Sequence, residues 1–139
     1  MFITDEDYRV VIGETALKAI AGVSPENRRN AEREAIEEMA SYLRPRYDIE
    51  AIFSATGEQR NPMVVMYAVD IALYHLSASM AQRLGSEVRK ERYERAIKWL
   101  EGVAKGLLVP DLPTPNSTST DGKPATFRYG TQKKLNHNW

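Results

Sequence analysis

Few residues of this chain combine a reactive type with a useful spacing. Its histidines are His75 and His137, and it has no cysteine. A nucleophilic triad would need one of those histidines beside a Ser base-activated for attack, and neither stands in such a pattern. The phosphate-cradling patterns GxxxxGK[ST] and GxGxxG are absent, as is the GxSxG elbow. Asp70 and His75 are spaced so that a helix would turn them to different faces, which rules out an i,i+4 metal pair. Glu37 and Glu38 are adjacent, so their carboxylates diverge. Asp5, Glu6 and Asp7 are consecutive, whereas a calcium loop needs acids at alternating positions around a glycine turn. From these residues we expect no catalytic residue, no cofactor-binding residue and no metal ligand, and so a chain that is not an enzyme and uses no cofactor.

Asp70 is the residue that needs an explanation. It stands among Met66, Tyr67, Val69, Ile71 and Leu73, where a carboxylate is costly unless it is paired. The expectation is a buried structural acid held by Arg44, Arg46, Arg92 or a tyrosine hydroxyl. A catalytic acid in a tyrosine-lined pocket is the competing use, and the two differ in whether Asp70 faces a closed core or a cleft.

The elements that must position these residues read as helices. Thr4 followed by three acids is an N-cap with favourable charge at the positive end of a helix dipole, and Gly13 ends that short helix. A second short helix over 14–21 ends at Gly22. Ser24-Pro25-Glu26 starts a long helix that Pro45 stops. Its apolar stripe is Ala35, Ile36, Met39, Tyr42 and Leu43; Arg28, Arg29, Glu32, Arg33, Glu34, Glu37 and Glu38 are expected on a solvated face or, alternatively, on a face between subunits. Residues 48–55 form one or two helical turns, and residues 56–60 a polar connection. Asn61-Pro62 repeats the cap-and-proline signal. Residues 63–76 are apolar on every side, the mark of a central helix, expected to continue to Leu84 and end at Gly85. A last helix starts at Ser86, with Tyr93, Ile97, Leu100, Ala104 and Leu107 as its stripe, widened by Ala96 and Val103, acid-before-base pairs on its other side, and Gly106 at its end. The fold class is therefore all-α: a small bundle of three main helices plus short ones.

The chain changes character at Pro110. Residues 1–109 read as the helical body and residues 110–139 as an extended C-terminal arm. Pro110, Pro113 and Pro115 favour a non-helical path, a Ser/Thr-rich spacer follows, and Asp121-Gly122 is a turn signal. Phe127 and Tyr129 alternate with Thr126 and Arg128, the period of a strand that could add to a neighbour's edge. Up to Asp121 there are 15 Lys/Arg against 19 Asp/Glu, a balance of −4; beyond it Lys123, Arg128, Lys133 and Lys134 stand without an acid. An acidic body with a basic arm tip can draw like subunits together, and the same tip could instead approach nucleic acid. Phe127, Arg128, Tyr129, Lys133, Lys134 and Trp139 are the expected interface residues.

The longest apolar stretch is too short to span a bilayer and carries Asp70, and the first residues lack the basic-then-apolar pattern of a secretory leader; a soluble protein is expected. Binding of nucleic acid by the last helix is the alternative function. Arg89, Lys90, Arg92, Arg95 and Lys98 would serve it, but Glu87, Glu91, Glu94 and Glu101 stand among them and the body is net acidic.

The order Tyr42-Leu43, Arg46-Tyr47-Asp48, then Asp70-Ile71-Ala72-Leu73-Tyr74, then Arg92-Tyr93-Glu94-Arg95-Ala96-Ile97-Lys98-Trp99-Leu100 and Gly106 resembles the small head–tail connector proteins of tailed phages, the Mu-like group among them. The resemblance covers residues 1–109. It implies a structural virion protein, made in the host cytoplasm and placed at the head–tail junction as an adaptor. Its partners would be other copies of itself in a ring of about twelve, the portal protein, and a tail or stopper protein. It also implies transient contact with the DNA in the channel, no membrane and no catalysis.

Overall fold

The computed structural model describes residues 1–22, 25–79 and 86–115. Within them the chain is helical: α1 (Asp5–Ala21), α2 (Pro25–Leu43), α3 (Ile49–Ser54), a 3-10 turn (Gly57–Gln59), α4 (Pro62–Ser79) and α5 (Ser86–Ala104), with no strand among the described residues. The Ser24 cap, the extension of α4 toward Gly85, the Asp121-Gly122 turn and the alternation around Phe127 lie outside them.

Each helix start has a local cause. Thr4 and Asp7 close a capping box: the Asp7 N–H donates to Thr4 Oγ1 at 3.4 Å and the Thr4 N–H to Asp7 Oδ2 at 2.7 Å. Asp48 caps α3 by accepting from the Ala51 N–H at 3.0 Å. Asn61 Oδ1 accepts from the N–H groups of Met63 and Val64, and Pro62 fills the first helical position, where no N–H is needed. Gly13, at φ 77° and ψ 169°, breaks α1 into two segments on different axes, as its glycine suggests. A residue with a Cβ would be strained there.

The core lies where α4 meets α2 and α5, with α1 laid on α4 as well. All residues of α4 from 67 to 73 are buried, as an all-apolar helix at the centre requires. Facing them are Ala31, Ala35, Met39 and Leu43 of α2 and Ala96, Leu100 and Val103 of α5. Tyr67 and Trp99 meet ring to ring at 5.0 Å.

Two expectations need correction. The α5 stripe ends at Val103: Ala104 is exposed and Leu107 keeps 78 % of its surface. The chain turns away at this point. The Leu107 N–H donates to Gly102 O at 2.9 Å and the Gly106 N–H to Val103 O at 3.0 Å, a Schellman turn around Gly106 at φ 76°. Helical register therefore stops before Leu107 can reach the core, while Ala104, still in the helix, lies to one side of the buried line Ala96, Leu100 and Val103. The second correction concerns the start of the arm. Residues just past Pro110 still belong to the body's surface: Leu112 is buried, the Asp48 N–H donates to Pro113 O at 2.8 Å, and Asn61 Nδ2 donates to Asp111 O at 3.2 Å.

Candidate functional site

Asp70 sits at the middle of α4 with its side chain wholly buried, and Arg92 Nε of α5 donates to its Oδ1 at 2.7 Å. Arg92 is thus the partner among the candidates, and the Asp70 side chain has no solvent-accessible surface. Arg89, one turn earlier on α5, also feels Asp70. Burial first, then the charge of Arg92, lower its pKa, and Asp70 partly offsets this. Asp70 Oδ2 and Arg89 Nη1 are both buried without a hydrogen-bond partner, so the cluster is not closed on itself.

A second cluster ties α2, α4 and α5. Glu38 Oε1 accepts from the Tyr93 hydroxyl at 2.6 Å, and Glu38 Oε2 lies 2.9 Å from His75 Nε2. Glu34 Oε2 stands 3.9 Å from His75 Nδ1. Tyr74 stacks on Tyr93 with ring centroids 3.9 Å apart. Burial, then the hydrogen bond to Glu38, raises the Tyr93 pKa well above its ordinary value. The tyrosine therefore stays a hydrogen-bond donor to Glu38 at neutral pH, an arrangement that clamps helices.

The third cluster joins α1 to α2. Tyr8 Oη and Arg28 Nε each donate to Glu32 Oε1 at 2.9 Å, Arg28 Nη2 donates to Asp5 Oδ1 at 2.6 Å, and the guanidinium lies 4.8 Å from the Tyr8 ring centroid. Burial, then the charge of Glu32, raises the Tyr8 pKa strongly. The sequence reading puts Glu32 and Glu38 on a solvated face or a face between subunits; the structure instead buries Glu32, only 4 % exposed, and half-buries Glu38 against its own subunit. Glu32 shares helical register with Ala35 and Met39, and that signal would have placed it. Nothing local in the polar connection 56–60 marks Arg60, yet its Nη1 donates to Asp7 Oδ2 at 2.6 Å and to Phe2 O at 2.7 Å. Burial alone would raise the Asp7 pKa, but the hydrogen bonds from Arg60 and Thr4 outweigh it and hold it below 3.8.

Among the described residues no group of His, Asp or Glu side chains is placed to hold a metal ion, and no helix is long and apolar enough to cross a membrane. The cations of α5 are partly engaged: Arg92 with Asp70 and Lys90 with Glu94, the latter pair at 3.9 Å. Two exposed patches are apolar. A cleft of about 540 Å³ runs between α1 and α4, lined by Val10, Val11, Val65, Met66 and Val69 with Glu58 beside them. At the end of α5, Leu107, Leu108 and Val109 are exposed by 78 %, 43 % and 81 %. Phe127, Arg128, Tyr129, Lys133, Lys134 and Trp139 lie outside the described residues.

No curated protein and no solved structure matches this chain. A protein-family match does exist and runs from residue 2 to residue 129. It extends beyond the helical body, through the stretch that holds Phe127 and Tyr129. Over that span the chain belongs to the bacteriophage Mu Gp36 family.

Proposed function

We propose that this protein is a head–tail connector: a structural virion component that forms a ring between the portal and the tail or its stopper, with the arm reaching a neighbouring subunit or the portal. The observation that carries this reading is the family match, which takes in the polar stretch 110–129 together with the body. A segment that is mostly Pro, Ser, Thr and charged residues has too little apolar surface to fold alone. Its place within the family pattern fits a segment that works by binding something else.

The chemistry of the body supports the same reading. Its buried and part-buried acids are spent on holding helices together: Asp70 on Arg92, Glu38 on His75 and Tyr93, Glu32 on Tyr8. Apolar patches are also left exposed on an otherwise charged surface, at the α1–α4 cleft and at Leu107, Leu108 and Val109, as an assembling subunit needs.

The test is the mass in solution of the full chain and of a chain ending at residue 115, by light scattering, alone and with the cognate portal protein. We expect a closed oligomer, free or seated on the portal, that is lost or weakened by the truncation. Monomers under every condition, portal included, would overturn the connector reading.

A further inference from the structure

The apolar turn after α5 and the α1–α4 cleft are two unlike patches on one chain, and among the described residues neither is covered. We infer that Leu107, Leu108 and Val109 of one copy seat in the α1–α4 cleft of the next, a head-to-tail contact between identical subunits. This rests on the ring reading above and assigns the surfaces that would build it.

The turn cannot enter its own cleft. On one side the hydrogen bonds from Leu107 and Leu108 to Gly102 O hold it, and Leu108 Cδ1 lies only 3.0 Å from where a Cβ on Gly102 would stand. On the other side Leu112 is buried and Asp111 and Pro113 are tied to Asn61 and Asp48. The knob is thus presented rigidly, which lowers the ordering cost of a contact.

The charges around the two patches are complementary. Beside the turn stand exposed Lys105 and Arg46, whose guanidinium packs at Gly106. Glu58 lines the cleft and is exposed, whereas Asp7 and Arg60, also in the lining, neutralise each other at 2.6 Å. The cleft has room for branched aliphatic side chains and offers valines and a methionine to meet them. Two different patches pairing in sequence give a heterologous interface, the kind that closes into a ring when the rotation allows.

Because the chain has no cysteine, the contact can be tested with Val10→Cys and Val109→Cys, both at exposed positions. The variants are oxidised on whichever assembly forms, the free oligomer or the portal-bound one. We expect a mixture of the two single variants to link across chains while neither links alone, and the double variant to give a ladder longer than a dimer. As a second readout, Lys105→Glu should weaken assembly about threefold, and adding Glu58→Lys to the same chain should restore it. Linking of Val10→Cys to itself, or a double variant that stops at dimers, would overturn head-to-tail pairing in favour of a two-fold contact. An intact oligomer with no cross-link would overturn the proposal and leave the ring standing, with another occupant, such as residues 116–139, in the cleft. If no assembly forms even with the portal, the ring reading fails and this contact with it.

Discussion

Where α4 meets α2 and α5, the contact is made by side chains almost without exposure: Ala35, Met39, Leu43, Ile71, Leu73 and Leu100. Where α1 meets the rest, apolar anchors are fewer, chiefly Tyr8, Leu17 and Ile20 with Phe2 and Ile3 ahead of the helix. There the ties are polar, Asp7 to Arg60, Asp5 to Arg28 and Tyr8 to Glu32. The bundle is thus held mainly by burial, which is insensitive to pH and weakly sensitive to salt, whereas the α1 layer depends on charges that acid can remove. The polar clusters within the bundle set which helix faces meet; those at α1 supply attachment itself.

Five substitutions can break or sharpen this contrast. Leu100→Ala, a cavity at the centre of the bundle, should cost about 3 kcal/mol in urea unfolding; a loss under about 1 kcal/mol would mean that the bundle is not the main source of stability. Arg92→Ala should cost about 2 kcal/mol. It strands the Asp70 carboxylate, but Arg92 is partly exposed and Arg89 is close enough to share the charge. Asp70→Asn should cost less, since it removes the buried charge along with the pair.

Asp7→Asn should cost about 1 kcal/mol and should act on pH dependence as well. The folded pKa of Asp7 lies below its ordinary 3.8. Its contribution is therefore full above pH 3.8 and is lost as pH falls through the folded value. Wild type should lose part of its stability in that window, read by circular dichroism on acid titration, and Asp7→Asn should lose less. An identical acid profile would remove Asp7 from the account of how α1 is held. The smallest effect on stability should come from Val109→Ser, under about 0.5 kcal/mol in the isolated subunit, although the same change should reduce assembly.

Local features made the fold readable in advance. Asn61-Pro62, Gly13, Gly106 and the apolar run of α4 each act within a few residues, so their consequences appear in the sequence itself. The polar partners do not, because they are long-range: Asp7 meets Arg60, Glu32 meets Tyr8, and Glu38 meets His75 and Tyr93. Asp70 was legible as a buried acid since its neighbours are apolar, yet choosing Arg92 over Arg44 or Arg46 required the packing of α5 on α4. Counting charge alone put Glu32 in solvent; its register with Ala35 and Met39 carried the better signal. Leu107 reads as part of the α5 stripe because periodicity continues in the sequence after the backbone has turned at Gly106. The apolar cleft had no sequence signature, being formed by the way α1 lies against α4.

The burial of α4 over residues 67–73 also sets a clock. Amide protons in that stretch, enclosed by neighbours on every side, have no local opening by which to meet solvent. Their exchange with deuterium should track unfolding of the whole subunit, while those of α1 beyond its Gly13 break exchange sooner through partial detachment. The protection pattern would then report, residue by residue, how much of the subunit must come apart before its centre does.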